Sequence, residues 1–241
     1  MGPPDILIGT AGWQAPKTRA EFPMDGSHLP RYSAVFWAVE INTSFYRLHR
    51  PQTYARWRGD TPPGFRFALK IPRMFTHAGR LRTLEGIDEF LAGVLELGEK
   101  LGPLLVQLPP SLKLEPESAG AFFQGLRARF SGLVVCEPRH ASWFTSTGEA
   151  LLAVHRIARA AADPAVVPAA GEPGGWRGLA YFRLHGTPQM YVSPYGPARV
   201  ARLAERLHAE RAGGTETWAI FDNTAEGHAL DDALELLRHV G

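Results

Sequence analysis

Carboxylate and imidazole side chains occur at the ends of several short apolar segments of this sequence. Glu40, Glu137 and Asp222 supply carboxylates, and His185 supplies an imidazole, a group that titrates near neutral pH. Groups of these types exchange protons with a substrate in general acid–base catalysis. We therefore predict that Glu137, His185 and Glu40 are catalytic residues of a hydrolase or a lyase.

Three basic side chains, Lys70, Arg139 and Arg183, accompany the three carboxylates, so the set is formally neutral before His185 is counted. A buried charge is costly when isolated and much less so when it is paired and hydrogen-bonded. The planar guanidinium group also suits a phosphate or carboxylate ligand. We predict that the three cations bind an anionic substrate. The other predicted substrate-binding residues are Asn42, Gln107, Asn223, Asp222, Trp13, Tyr46, His77 and His140.

Simpler structural roles are open for the same residues. The acids and bases would also satisfy one another as a buried ionic network that binds nothing. Asn223 and Glu226 have the spacing of a helix cap, although free N–H groups there would equally favour an anion. His185 suits the capping of a strand as well as proton transfer, and Arg139 suits an ion pair as well as a ligand.

The sequence contains no local pattern of metal ligands. Its histidines and acids show no H-x-x-x-H or similar spacing, so no cofactor and no metal site is predicted, with a divalent metal kept as an alternative. The single cysteine, Cys136, excludes an internal disulfide framework. It has the opposite strand parity to Glu137, which favours packing over a nucleophilic role.

Eight short apolar segments bounded by Gly and Pro are predicted to be strands, with helices between them. The predicted strands are 6–10, 38–46, 65–71, 103–108, 133–137, a short and irregular sixth strand before Asp163, 179–184 and 217–221. The predicted helices are 29–37, one that opens at Pro51, 84–101, 116–130, 151–162, 197–212 and 225–240. Residues 164–178 are predicted to form a long loop.

Eight alternating strands and helices in 241 residues indicate a single (β/α)8 TIM-barrel domain over residues 1–241, with an irregular sixth unit. An open doubly wound sheet is the main alternative. Residues 9–12 lack the G-x-G-x-x-G spacing of dinucleotide-binding folds, and the sequence has no phosphate-binding P-loop. Barrel enzymes build their sites at the carboxyl ends of the strands, where the polar residues named above are predicted to lie.

The formal net charge of +2 is unevenly distributed along the chain. Residues 47–82 contain nine basic residues and one acid, interleaved with aromatic side chains. This segment is interpreted either as a solvated helix face or as a surface for phosphates. We predict a cytoplasmic globular protein with no membrane partner. The prediction rests on the composition, the single cysteine, the absence of a leader-like N-terminus and the short apolar runs.

Taken together, the motifs resemble those of the YecE-like family, a bacterial and archaeal domain of unknown function. They are Ile8 to Trp13, Val39 to Tyr46, Phe67 to Arg73 with Thr76 and His77, Leu101 to Pro110, Glu137 to His140 with Trp143, Tyr181 to Gly186, and Phe221 to Thr224. The resemblance covers nearly the whole chain and implies a TIM barrel. It implies no reaction, although a likeness of such barrels to metal-dependent endonucleases would suit the basic segment.

These observations favour an enzyme that acts on an anionic, phosphate- or sugar-containing substrate at the carboxyl ends of the strands. A nucleic-acid-binding or repair protein that uses residues 47–82 is the first alternative. A metabolite-binding barrel without catalysis is the second.

Overall fold

Ten strands and seven α-helices are assigned within residues 4–240, the part of the chain that the computed structural model describes. The strands are β1 (Ile6–Thr10), β2 (Ala38–Ile41), β3 (Arg66–Lys70), β4 (Leu101–Gln107), β5 (Val134–Glu137), β6 (Ala158–Arg159), β7 (Ala161–Asp163), β8 (Gly174–Gly175), β9 (Leu179–Leu184) and β10 (Glu216–Phe221). The helices are α1 (His28–Ser33), α2 (Pro51–Gly59), α3 (Ile87–Val94), α4 (Pro116–Arg127), α5 (Ser146–Val154), α6 (Pro197–Ala212) and α7 (His228–Val240). Residues 1–3 and 241 lie outside the described residues. The prediction of a single domain over 1–241 and the prediction of no leader both include some of these residues.

The strands form two sheets, in the orders β1-β10-β9-β7 and β2-β3-β4-β5-β6-β8. Every pairing is parallel except that of β6 with β8. One isolated parallel bridge, between Ala11 and Glu40, connects β1 to the second sheet. The predicted single α/β domain of parallel strands is confirmed, but the strands form two sheets and not one closed barrel.

The side chain of Tyr32 occupies the gap between β1 and β2. Its hydroxyl accepts a hydrogen bond from the N–H of Thr10 at 2.8 Å and donates one to the carbonyl of Ala38 at 3.0 Å. A Cβ atom at Gly9 would lie 2.0 Å from the Ala38 oxygen, so only glycine permits this approach of the two strands. A tyrosine hydroxyl therefore replaces part of the backbone ladder at this seam.

The sixth strand position is irregular, as predicted. It is divided into β6 and β7 around Ala160, whose N–H donates to the carbonyl of Cys136 at 2.8 Å. The two halves belong to different sheets, since β6 pairs with β5 and β7 pairs with β9. Cys136 is buried in the core as predicted, and burial raises the pKa of its thiol.

Several predicted boundaries are wrong where a local turn ends an element early. The second strand stops at Ile41, and Thr43–Phe45 forms a 3-10 helix. The long helix predicted at 84–101 is α3 followed by a 3-10 segment, and Gly98 interrupts that segment with a positive φ of 57°.

Two predicted helices begin or end elsewhere. Helix α5 covers Ser146–Val154 and leaves 158–163 to the split strand, whereas one helix was predicted over 151–162. The spacing of Asn223 and Glu226 suggested a helix cap. Helix α7 begins only at His228, so Asn223 is not its cap. Among residues 4–240, no helix combines the length and the apolar character needed to cross a membrane.

Loss of the Tyr32 hydroxyl tests the seam between the sheets. In Tyr32→Phe, the buried Thr10 N–H and Ala38 carbonyl lose a partner, so we expect the free energy of unfolding to fall by about 1–3 kcal/mol in urea denaturation. The matched control is Tyr54→Phe, because the buried Tyr54 hydroxyl has no hydrogen-bond partner in the described structure. This control should unfold at the same urea concentration as the wild type or a higher one, and equal losses in both variants would contradict the assigned role.

Candidate functional site

A layer of polar side chains lies next to the inner core of the strands. The inner core comprises Leu7, Ala38, Ala68, Leu105, Val135, Ala158, Ala160, Leu179, Tyr181, Trp218 and Ile220. On five strands, and directly after β10 at Asp222, a polar residue follows a core residue by two positions, and alternation therefore places it on the same interior face. We call these residues and His185 the polar ring: Glu40, Lys70, Gln107, Glu137, Arg183, Asp222 and His185.

Arg183 occupies the centre of the polar ring and is completely buried. Its Nε and Nη2 bind Oε2 and Oε1 of Glu40 at 3.0 and 2.6 Å, a two-pronged ion pair. Its Nη1 contacts Oε2 of Glu137 at 2.5 Å, and its Nη2 also contacts Oδ2 of Asp222 at 3.1 Å. Carboxylates from three strands thus neutralise one guanidinium group.

His185 is held on both sides by carboxylates. Its Nε2 lies 2.8 Å from Oε1 of Glu137, and its Nδ1 lies 3.0 Å from Oδ2 of Asp222. Burial by itself would lower the pKa of His185 and Arg183 would lower it further, but Glu137 and Asp222 raise it overall. The ring therefore favours the imidazolium form, in which both nitrogens donate to carboxylates.

Two carboxylates of the ring, Glu137 and Asp222, are held in their ionised form. Burial opposes ionisation of Glu137, but Arg183 and His185 outweigh it and keep the pKa of this carboxyl well below its ordinary value. The pKa of Asp222 is lowered for the same reasons. Asp222 differs from Glu40 and Glu137 because it is 8% exposed where they are completely buried, and because its Oδ1 has only a long contact, 3.5 Å from Nδ2 of Asn42.

Two cations at the edge of the ring are less well neutralised than Arg183. The Lys70 ammonium group makes no hydrogen bond or ion pair with another described residue, and its Nζ lies 4.0 Å from the centre of the Phe45 ring. Burial, together with the Arg183 charge, lowers the pKa of Lys70 against the effect of the nearby carboxylates. Arg139 bonds Glu137 at 3.1 Å through Nη1, while its Nη2 meets only the Met190 sulfur, a weak acceptor.

A match over residues 7–241 to the profile of the family described as "Protein of unknown function DUF72" covers nearly the whole chain. The chain belongs to the DUF72 family. This result confirms the resemblance to YecE-like proteins. The motifs that indicated it include residues of the ring and of the loops beside it.

Bacterial relatives of this DUF72 chain include the UPF0759 protein YecE of Escherichia coli, 32% identical over 146 residues, which are 60% of this chain and 52% of that protein. The UPF0759 protein YunF of Bacillus subtilis is 28% identical over 155 residues, 58% of this chain and 52% of that protein. The aligned part of the chain thus spans about half the length of each of these curated relatives.

Solved structures of DUF72 family proteins share the fold. A protein from Enterococcus faecalis superposes with a TM-score of 0.79 at 21% identity and covers 98% of this chain and 95% of its own. Another, from Thermotoga maritima, has a TM-score of 0.78 at 24% identity, with coverages of 97% and 98%.

Four of the predicted ligand residues of this DUF72 domain lie outside the polar ring. Asn223 is buried and donates to the Ser193 carbonyl and to Asp232, so it fastens the loop before α6 to α7. His140 accepts from the Ser142 N–H and caps a short 3-10 helix.

Tyr46 is 73% exposed and packs edge-on against Phe45. His77 also packs against Phe45 and is near enough to Lys70 for that charge to lower its pKa, after the larger effect of burial.

The remaining predicted residues lie at or beside the ring. Gln107 is aligned with Glu137 on the adjacent strand and is nearly buried. Asn42 contacts Asp222, and Trp13 packs against Trp57 at the entrance of a neighbouring cleft.

Two contributors to the DUF72 site were missed by sequence reasoning. Tyr181 donates to Glu40 at 2.8 Å, and its position two residues before Arg183 on one strand was the available indication. Tyr191, in the loop after β9, lies edge-on to His185 at 5.5 Å with a positive φ of 69°. No spacing in the sequence indicates that contact. Within residues 4–240, no group of three His, Cys, Asp or Glu side chains has the arrangement of a metal site.

The raised pKa of His185 makes a prediction about alkaline stability. A histidine whose pKa is raised by folding adds stability that is complete below its unfolded pKa of about 6.5 and is lost as pH rises through the higher folded pKa. We therefore expect the free energy of unfolding of the wild type to decline as pH rises above about 6.5. The measurement is urea denaturation over that range.

The same measurement on His185→Gln should give a flatter curve on the alkaline side. His208→Gln is the control, because His208 is exposed on α6, and it should keep the wild-type slope. A wild-type slope in His185→Gln would show that His185 is not charged in the folded protein.

Proposed function

We propose that this DUF72 domain is an enzyme that acts on an anionic, phosphate- or sugar-containing small molecule at the carboxyl ends of its strands, as a hydrolase or a lyase. The observation that carries this proposal is a charge excess at the site. With His185 protonated, four cations (Lys70, Arg139, Arg183 and His185) face three carboxylates. The least neutralised cations, Lys70 and Arg139, are half-buried, whereas Arg183 and His185 are completely buried.

Lys70 and Arg139 are the proposed anion-binding residues. They have donor groups that no carboxylate fully occupies, whereas the donors of Arg183 are directed at Glu40, Glu137 and Asp222. A phosphate group would supply the acceptors that Lys70 lacks and would replace the weak sulfur contact of Arg139. Gln107, on the strand between them, is placed to orient the ligand.

Asp222 is the residue best placed to transfer a proton. Of the three candidates named from the sequence, Glu40 and Glu137 have both oxygens engaged, and His185 has both nitrogens engaged. Oδ1 of Asp222 has only the long contact with Asn42, and His185 and Arg183 bind its other oxygen. In this arrangement Asp222 accepts the proton, while Glu137, His185 and Glu40 hold its charge and position.

Anion binding is tested by isothermal titration with inorganic phosphate. We expect Lys70→Gln and Arg139→Gln each to weaken phosphate binding by about tenfold or more, because each removes a charge-assisted hydrogen bond. Lys113→Gln is the control, since Lys113 is exposed outside the ring. Because the pKa of Lys70 is lowered, wild-type affinity should fall as pH rises toward it. Unchanged affinity in both the Lys70 and the Arg139 variant would refute the anion site.

Turnover separates an enzyme from a barrel that only binds a metabolite. With a panel of phosphate esters, Asp222→Asn should reduce turnover by about 100-fold or more while the variant still binds phosphate. Binding by the wild type without turnover of any ester in the panel would favour the non-catalytic alternative.

A second candidate function is nucleic-acid binding by part of the basic segment. Arg50 and Arg56 line an open depression of about 550 Å³, and Arg47 lines the adjoining cleft with Trp57. These three arginines are exposed and form no ion pair with the other described residues. Two other arginines of 47–82 are engaged elsewhere. Arg66 bonds the Glu99 carbonyl, and Arg82 bonds Glu115.

Salt dependence tests this second function. If the three arginines contact phosphates of a single strand, affinity for an oligonucleotide should fall steeply with salt concentration. The triple variant Arg47→Gln, Arg50→Gln, Arg56→Gln should lower the slope of log affinity against log salt by about 2. Association that is absent or insensitive to salt in the wild type would remove nucleic acid from consideration.

A further inference from the structure

An open cleft of about 780 Å³ lies beside the polar ring. Its walls include two indole rings, Trp13 and Trp57, and its polar lining includes Gln14, Asn42 and Thr43. Trp57 is almost buried, whereas Trp13 is partly exposed, so Trp13 offers the accessible aromatic surface. A concave site with apolar walls and a few polar groups is the usual form of a small-molecule site.

Asn42 belongs to both the cleft and the edge of the ring. Its Nδ2 faces Oδ1 of Asp222 at 3.5 Å, while its Oδ1 is buried and has no hydrogen-bond partner in the described structure. Ile41 pairs with Leu69, so Asn42, directly after β2, follows at the position next to Lys70, the last residue of β3. Asn42 therefore connects the neighbourhood of Lys70 to the cleft.

The unpartnered oxygen of Asn42 selects for a donor on the ligand. A buried amide oxygen without a partner carries a desolvation cost that an O–H or N–H group would remove. The hydroxyl of Thr43 is already engaged with His49 at 2.8 Å, which leaves Asn42 as the buried acceptor near the ring. A neighbouring substituent of the anionic group, such as a sugar hydroxyl, would meet this requirement.

The orientation of the indole rings favours a sugar over a flat nucleobase. The planes of Trp13 and Trp57 are inclined by 73°, with ring centres 5.0 Å apart. Two rings in this arrangement are in edge contact with each other and do not form the parallel walls that would enclose a base. A single exposed indole suits one apolar face of a pyranose, whose hydroxyls project from its rim toward groups such as Gln14 and Asn42.

We propose that the cleft is the subsite for the sugar ring of a sugar phosphate, whose phosphate is bound by Lys70 and Arg139. The ring stacks on Trp13, and one hydroxyl donates to Oδ1 of Asn42. This inference rests on the proposed anion site and extends it to a substrate class.

Isothermal titration with four probes tests the subsite: inorganic phosphate, glucose, glucose 6-phosphate and adenosine 5′-monophosphate. We expect the wild type to bind glucose 6-phosphate about tenfold or more tightly than phosphate, because the sugar adds a stacking contact and a hydrogen bond. Trp13→Ala and Asn42→Ala should each reduce this advantage while phosphate affinity stays within about twofold. Trp13→Phe, which retains an aromatic surface, should keep most of it.

Trp176→Ala is the matched control, because Trp176 is partly exposed near the opposite ends of the strands, beside Arg156. Thermal unfolding of each variant checks that it is folded. Equal affinity for phosphate and glucose 6-phosphate in the wild type would overturn the inference, as would tighter binding of adenosine 5′-monophosphate. If phosphate itself fails to bind, the proposed anion site fails. Glucose binding that Trp13→Ala abolishes would then still support the sugar subsite, and its absence would overturn that too.

Discussion

Arg183 carries a permanent charge at the centre of the strand interior, and the surrounding groups are arranged to neutralise it. It projects from β9, in one sheet, and its guanidinium binds Glu40 and Glu137 on β2 and β5 of the other sheet. Side-chain ion pairs thus connect two sheets whose backbone ladders are incomplete. Removal of one partner from such a buried pair typically costs about 3–5 kcal/mol, so this interaction constrains the relative positions of four strands once Asp222, after β10, is included.

The same constraint decides which groups can face a ligand. Because Arg183 and His185 occupy the oxygens of Glu40 and Glu137, these carboxylates serve as fixed charges with no free acceptor. The groups that keep unused donors or acceptors lie at the periphery: Lys70, one edge of Arg139, Oδ1 of Asp222 and Oδ1 of Asn42. The interior ion pairs therefore stabilise the sheets, and the edge provides the chemistry.

Much of the fold and of the polar ring could be predicted from alternation along strands. Glu40, Glu137 and Arg183 each follow a buried interior residue by two positions, and the contacts between them are those expected of charges that must be paired. The predictions were less successful where a loop decides the outcome. Asn223 follows β10 as expected, but its side chain binds Ser193 and Asp232, residues distant in sequence. His140 similarly caps a local 3-10 turn.

The sequence by itself determined the order of most strands and helices, and which face of a strand each charged residue takes, because side-chain direction in a strand depends only on local geometry. It did not indicate β8, which lies within the predicted loop 164–178 and pairs with β6. It could not determine which carboxylate binds which cation, since those partners are brought together by strand register and by distances across the interior. The seam between β1 and β2 also arises only in three dimensions. The hydroxyl of Tyr32 reaches both strands there, and a contact between groups 22 residues apart has no periodic pattern in the chain.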